Sequence, residues 1–329
     1  MTSYQSILPF TTQRLTQAHM IKSDQEALDI AKLLAEKFKQ NAIQRDAERQ
    51  LPFDEIEAYS QSGLWAITVP KEYGGAEVSS YTVAQIIALI SGADGSIGQI
   101  PQNHFYALEV LRNTGTEQQK QKLYAEVLKG ARFGNALAEF KTKNAAQKQT
   151  IIRKTTDGFE VSGEKFYCTG SLFSHRIPTL VKDEDHHEYL AFIPRQSEGL
   201  NLIDDWSGFG QRTTGSGTVK FNHVKVLAED VIPFDQAFQQ PTLVGPFAQL
   251  MHAAIERGIA RAAFEETLIR VRQARPWIDS GVDFATHGPM TLTELGRVSV
   301  DVKATELLLK QAAHSIDLAK PHPNEKNIA

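Results

Sequence analysis

From Asp24 the apolar positions Leu28, Ala31, Leu34, Ala35 and Phe38 recur at three- and four-residue steps with charges between them. That spacing predicts an amphipathic helix running to about Arg49, with Asp24 as its N-cap. Pro52 opens a second helix whose Ile56 and Tyr59 face inward, and Gly63 closes it. In GLWAITVPKEYGGAEVS, Pro70 and the pair Gly74–Gly75 break any regular pattern and predict a sharply bent loop. Residues 80–92 are apolar nearly all round, as in a helix at the middle of a bundle. After the small-residue run GADGSIG, two further helices are predicted, His104 to Thr114 and Thr116 to Gly130. Thr116 and Gln119 have the capping-box spacing, and Gly130 suits the C-cap.

From Ala131 the period changes to two. Thr150–Thr155, Phe159–Val161, Lys165–Thr169, Thr179–Lys182, Tyr189–Ile193 and Thr218–Phe221 read as short strands, and Asp157–Gly158 marks a hairpin. Short strands at this spacing predict a small barrel or sandwich that ends near Pro233. Helix returns near Leu243 and runs to about Gln273. ARPWIDSGVDFATHGP reads as a loop, and Leu292–Leu318 as a second long helix. The final KPHPNEKNIA is polar and proline-bearing, like a connector. The predicted architecture is α+β and multidomain. It comprises an arm (1–23), an N-terminal helical domain (24–131), a central β-barrel (132–235) and a C-terminal helical bundle (236–329).

Composition narrows the function classes. Hydrophobic residues make up 41% of the 329 and charged residues 22%, with a net charge of -4. No basic block points to nucleic acid. No apolar run is long enough to span a membrane, and the first residues lack a signal pattern. A single cysteine, Cys168, excludes an internal disulfide and fits a reducing cytoplasm. DEDHHE at 183–188 offers two histidines without a further ligand in sequence, which reads as a solvated loop and no metal site. The GxG runs at Gly208–Gly210 and Gly215–Gly217 are not followed by a helix pattern, so they are no dinucleotide fingerprint.

Four runs carry a resemblance: GLWAITVPKEYGGAEVS, GTEQQKQKLYAEVLKGARFGNALAE, GEKFYCTG and GFGQRTTGSGTVKFNHVKV. In their helical–β–helical order they resemble the acyl-CoA dehydrogenase superfamily over about residues 24–320. The family's bundle has four long helices, and this chain has sequence for two. Asn-Ala-x-x-Glu at 135–139, Tyr-Cys-Thr-Gly at 167–170 and Arg-Pro-Trp at 275–277 are similar to the flavin-dependent monooxygenases of sulfur acquisition. The resemblance implies reduced FMN delivered by a separate reductase, oxygen as co-substrate, a small organosulfur compound and a homotetramer. The dehydrogenase pattern departs at Ala138, at Phe140–Lys143, at Tyr167 and at Gly170. No carboxylate stands at the alternative base position near Ala248, where Glu256 is the nearest acid. An FAD-dependent acyl-CoA dehydrogenase and a non-catalytic fragment or binding protein remain the alternatives.

The resemblance further implies a flavin wall made by Asn135, Ala136, Glu139, Tyr167, Thr169, Gly170, Ser171 and Ser174. It also implies that Arg275 reaches the cofactor phosphate. Each has a plain structural reading beside this one. Thr169 is a strand former or a flavin contact. Ser171 and Ser174 are turn residues, or Ser174 acts catalytically by positioning the flavin or its oxygen. Asn135 makes an Asx-turn or reads the pyrimidine edge with its amide. His104 is structural or a catalytic proton donor. Trp206 is a core aromatic or lines a substrate pocket. Arg275 complements a helix dipole or binds phosphate. Cys168 is expected to be buried and inert.

Overall fold

A computed structural model describes residues 17–140 and 149–324. Expectations for 1–16 of the arm, for Lys141–Lys143 and for residues 325–329 lie outside the described residues. Helix α1 (Asp24–Lys39) buries Ala27, Ala31, Ala35 and Phe38, the predicted stripe. Its N-cap is Ser23, whose side chain accepts from the Glu26 N–H, and not Asp24 as the sequence suggested. The Asp24 carboxylate instead accepts from the Ser79 N–H (3.1 Å) and from the hydroxyls of Ser79 (2.6 Å) and Thr82 (2.7 Å). It therefore ties α1 to the start of a later helix, a long-range role that no local pattern signals.

The expected single helix to Arg49 is broken, and α2 (Ala42–Glu48) ends on Arg49 in the left-handed region. α3 (Phe53–Gln61) follows Pro52. The bent loop holds two short 3-10 turns, Leu64–Ala66 and Lys71–Tyr73. α4 (Ser80–Ala93) is buried on almost every side, as its composition requires. The GADGSIG run carries α5 (Gly95–Gln99), because Asp94 accepts from the N–H groups of Ser96 and Ile97. α6 (Gln102–Thr114) and α7 (Glu117–Leu128) complete the first helical part, and α7 has the full Thr116/Gln119 capping box.

Among the described residues the β section is one seven-stranded mixed sheet. Its strands are β1 (Ile151–Thr155), β2 (Gly158–Lys165), β3 (Arg176–Lys182), β4 (Glu188–Pro194), β5 (Leu200–Ile203), β6 (Thr218–Val226) and β7 (Val231–Pro233). The order is β5-β6-β2-β1-β3-β4-β7, antiparallel except for β1 beside β3. β5 and β7 escape the sequence pattern. The expected strand Lys165–Thr169 does not form, because the ladder stops at Lys165 and Tyr167 takes φ +55°. Phe133, Leu180, Phe192 and Ile232 join Leu108, Leu111 and Tyr124 in one core cluster, so the sheet rests against α6 and α7.

Two long helices return to the first helical part. α8 (Val244–Gln273) packs on α4 so closely that a Cβ on Gly258 would stand 2.2 Å from the Ala88 carbonyl oxygen. α9 (Pro289–Ala319) lies along α8, and its Asp317 accepts from the Ser80 N–H at 2.9 Å. Among the described residues, no helix is long and apolar enough to cross a membrane.

Candidate flavin-binding wall

The segments singled out in the sequence converge where residues 133–136 run beside β3. Gly134 N–H donates to the Arg176 carbonyl (2.9 Å) and Ala136 N–H to the Pro178 carbonyl (3.0 Å). Asn135 and Ser171 lock together. The Asn135 N–H donates to Ser171 Oγ (3.1 Å), and that hydroxyl donates back to the Asn135 carbonyl (2.8 Å). Only glycine fits at 134, where a Cβ would lie 2.7 Å from Ser171 Cα. Ser174 is wholly buried, and its hydroxyl donates to the Ser171 carbonyl at 2.9 Å. Gly170 at φ +80° starts the 3-10 turn that carries both serines.

The Tyr167 carbonyl accepts from the Thr169 N–H (2.8 Å) and from Asn135 Nδ2 (3.0 Å). A carbonyl can only accept, so this contact fixes which end of the Asn135 amide is nitrogen. The other end, Oδ1, is buried without a hydrogen-bond partner. A buried acceptor left unmade costs about 1–3 kcal/mol, so this atom is suited to an N–H brought by a ligand. The Tyr167 ring is 50% exposed and meets Phe166 and Trp206 edge-on, with centroids 4.6 and 5.8 Å away. Phe140 extends the row, 5.3 Å from Phe166. The structure thus brings Trp206 to the wall. Its indole N–H donates to the Gln211 carbonyl at 3.0 Å. Its loop is tied to the helical part through the Arg49–Asp204 pair.

Other predicted residues are engaged differently. Glu139 is paired with Lys165 at 2.6 Å, both side chains being almost fully buried. Its oxygens also accept from the N–H groups of Gln149 (2.6 Å) and Thr150 (3.0 Å). Burial alone would raise the Glu139 pKa, but the Lys165 bond and charge together with these N–H groups hold it below the ordinary carboxylate value. This carboxylate ties Glu139 to the start of β1 and to the end of β2. Ala136 is a wholly buried member of the main-chain ladder beside β3.

His104 is 0% exposed. Nε2 bonds the Trp65 carbonyl at 2.7 Å, and Nδ1 accepts from the Phe133 N–H at 3.1 Å, so both ring nitrogens serve backbone groups. Burial pushes its pKa down to about 3 against the opposing Trp65 bond, and the Arg132 charge adds to the fall. The ring is a neutral latch between helical part and sheet, and it offers a ligand neither nitrogen. Arg275 is exposed, just past the end of α8 and on a different element from the wall. Cys168 is buried, which raises its thiol pKa.

Two arginines that sequence reading passed over shape the turn from behind. Arg195 Nη1 donates to the carbonyls of Ser171 and Leu172, both at 2.9 Å, and Arg132 Nε to that of Phe173 at 2.7 Å. Their targets are main-chain oxygens, so no motif could have announced them. Ser216 and Thr214 were missed too. They lie in the quoted GFGQRTTGSGTVKF run, and only the fold sets them against Thr169. Among the described residues no group of three metal-ligating side chains occurs.

Comparison with known proteins places the chain in a family. Residues 24–131 match the family profile described as acyl-CoA dehydrogenase, N-terminal domain. The chain is 30% identical over 299 residues to the probable FMNH2-dependent monooxygenase SfnC of Pseudomonas putida, covering 89% of this chain and 74% of that one. It is 29% identical over 306 residues to the dibenzothiophene monooxygenase of Rhodococcus qingshengii, covering 89% and 73%. The solved complex of TdsC from Paenibacillus sp. A11-2 with FMN and indole superposes with a TM-score of 0.86 at 29% identity, over 92% of this chain and 79% of that one. The chain belongs to the acyl-CoA dehydrogenase superfamily, in its flavin-dependent monooxygenase branch.

Proposed function

We propose that this protein is a reduced-FMN monooxygenase acting on a small organosulfur compound. The observation that carries the reading is the partnerless buried Oδ1 of Asn135, set in a wall with the half-exposed Tyr167 ring. A ring system with an N–H on its edge and a broad apolar face fits both. The similarity to FMNH2-dependent relatives supports FMN as that ring.

Bound reduced FMN supplies the two electrons with which one oxygen atom of O2 goes to the substrate sulfur and the other leaves as water. The chain's own residues bind and shelter. Asn135 accepts from the ring edge, and the 170–174 turn, held by Ser171, Ser174 and Arg195, keeps the wall rigid. The Phe140–Phe166–Tyr167–Trp206 row excludes water and offers an apolar face to an aromatic or thioether substrate. Arg275 takes the phosphate, in an assembly of several copies. A separate flavin reductase supplies the reduced cofactor, and the cytoplasm is the setting.

The test combines the chain, FMN, NADH, a flavin reductase and oxygen with a panel of sulfides, and looks for sulfoxide by mass spectrometry with 18O2. One labelled oxygen per product is expected. Bleaching of bound flavin by an acyl-CoA without reductase would point to the dehydrogenase alternative instead.

A further inference from the structure

Trp206 is the root of a tight loop whose tip nothing in the fold holds. Its indole N–H donates to the Gln211 carbonyl at 3.0 Å, and Gln211 at φ +47° turns the chain back. Inside the loop a Cβ on Gly208 would stand 2.4 Å from the six-membered ring of that indole, so only glycine lets the main chain lie against it. The base is fixed on both sides. Arg49 Nη1 donates to the Asp204 carboxylate at 3.0 Å, and the Asp205 carboxylate accepts from the N–H and the hydroxyl of Thr218, each at 2.8 Å. Between these anchors stands Phe209, 103% exposed, and a Cβ on its neighbour Gly210 would meet no atom within 4 Å.

A lone apolar side chain at a surface is ordinary. Phe209 differs in where it is rooted. Trp206 meets the half-exposed Tyr167 ring at 5.8 Å, and the rings of Phe166 and Phe140 follow in the same row. Three residues of chain span at most about 10 Å, so the phenyl ring stands within reach of the Trp206 end of that row. A flat apolar molecule lying on the row keeps one face toward water. A phenyl ring laid over that face takes apolar surface of both partners out of water. The base keeps its bonds during such a swing, and the open space around Gly210 leaves the tip free to make it.

We propose that Phe209 is a specificity-determining residue, which folds over an aromatic sulfide lying on the Tyr167–Trp206 pair and covers it. The proposal rests on the monooxygenase reading above. Cover of this kind favours a substrate with a flat apolar body over a small, water-soluble sulfide, and it shields the reacting sulfur from water.

Thiol labelling tests the movement. Cys168, the single cysteine, is buried, so the parent chain is a blank. Gly210→Cys places an accessible thiol beside Phe209 in open space. Its reaction rate with dithiobis(nitrobenzoate) is measured for the chain alone and with FMN and saturating thioanisole. The two ligands together should slow labelling roughly three- to tenfold, and the slowing should vanish when Phe209→Ala is added. In turnover, Phe209→Ala should lose severalfold more kcat/KM on thioanisole than on dimethyl sulfide, and Phe209→Leu should recover part of that loss. Unchanged labelling, slowing that survives Phe209→Ala, or equal losses on both sulfides would each overturn the proposal. So would a thiol that is already slow without ligands, because another copy or segment would then cover the tip. If the parent chain does not quench FMN fluorescence, the flavin reading itself fails and takes this proposal with it. Melting temperatures show that each variant is folded.

Discussion

Asn135 Nδ2 donates to the Tyr167 carbonyl at 3.0 Å, and this one bond sets the polarity of the wall. It assigns Oδ1 to the other end of the amide, which is buried and unmet. It is possible because Tyr167 holds φ +55°, a conformation that ends the strand and swings its carbonyl toward the 133–136 loop.

Replacing Asn135 tests that acceptor. Asn135→Ala removes it together with the Tyr167 contact, and FMN affinity should fall by about one hydrogen bond to one and a half, roughly tenfold. Asn135→Asp keeps an acceptor but loses the Nδ2 donor, so it sets a carboxylate against the Tyr167 carbonyl and should bind no better. Fluorescence quenching of FMN reads both. Parent-like binding by Asn135→Ala would remove this residue from the site.

The Glu139–Lys165 pair is buried, so breaking one side should be severe. Lys165→Met leaves a buried carboxylate and should destabilise by about 3–5 kcal/mol, whereas replacing both partners with apolar residues should cost less. The Glu139 pKa is depressed in the folded chain. Its contribution is therefore complete above the unfolded value of about 4.3 and is lost as the pH falls through the lower folded value. Urea unfolding at a series of acidic pH values, parent against double variant, checks the sign.

His104 and His175 have the same linkage sign. Burial pushes both down to about 3, with the Arg132 charge adding in each case and the Arg195 charge for His175. The unfolded chain takes up these protons near pH 6.5 and the folded chain does not until about 3. Stability is therefore intact above about 6.5 and falls as the pH is lowered from there, each ring contributing up to ~1.4 kcal/mol per pH unit. His104→Gln should remove one such slope. Turnover should show no acid limb assignable to His104, and a limb near pH 6–7 that vanishes in His104→Gln would restore it as a proton donor.

Arg275 is exposed and should tolerate removal without a change in melting temperature. If it meets the cofactor phosphate, Arg275→Ala should weaken FMN severalfold and leave riboflavin unaffected. Equal loss of both ligands, or of neither, would reject the phosphate role.

The apolar patterns of α1, α3 and α6 to α9 were legible in the sequence because each buries a face whose spacing is set by 3.6 residues per turn, and that of α4 because it is apolar nearly all round. The capping box of α7 was legible for the same local reason. The motif runs 134–139, 163–174 and 208–221 marked the wall by resemblance. Only tertiary structure decided what their side chains do. The bond from Asn135 to Tyr167 spans 32 residues, that from Thr169 to Ser216 spans 47, and Arg195 reaches back 24 to the Ser171 carbonyl. No local pattern encodes such pairings. Asp24 left the cap for Ser79, and Phe166–Thr169 left the ladder, because hydrogen-bond partners far along the chain outweighed local preferences of about a kilocalorie or less. Sequence determined which segments form the wall. The direction of its hydrogen bonds, and so the ligand edge it can accept, came only with the fold.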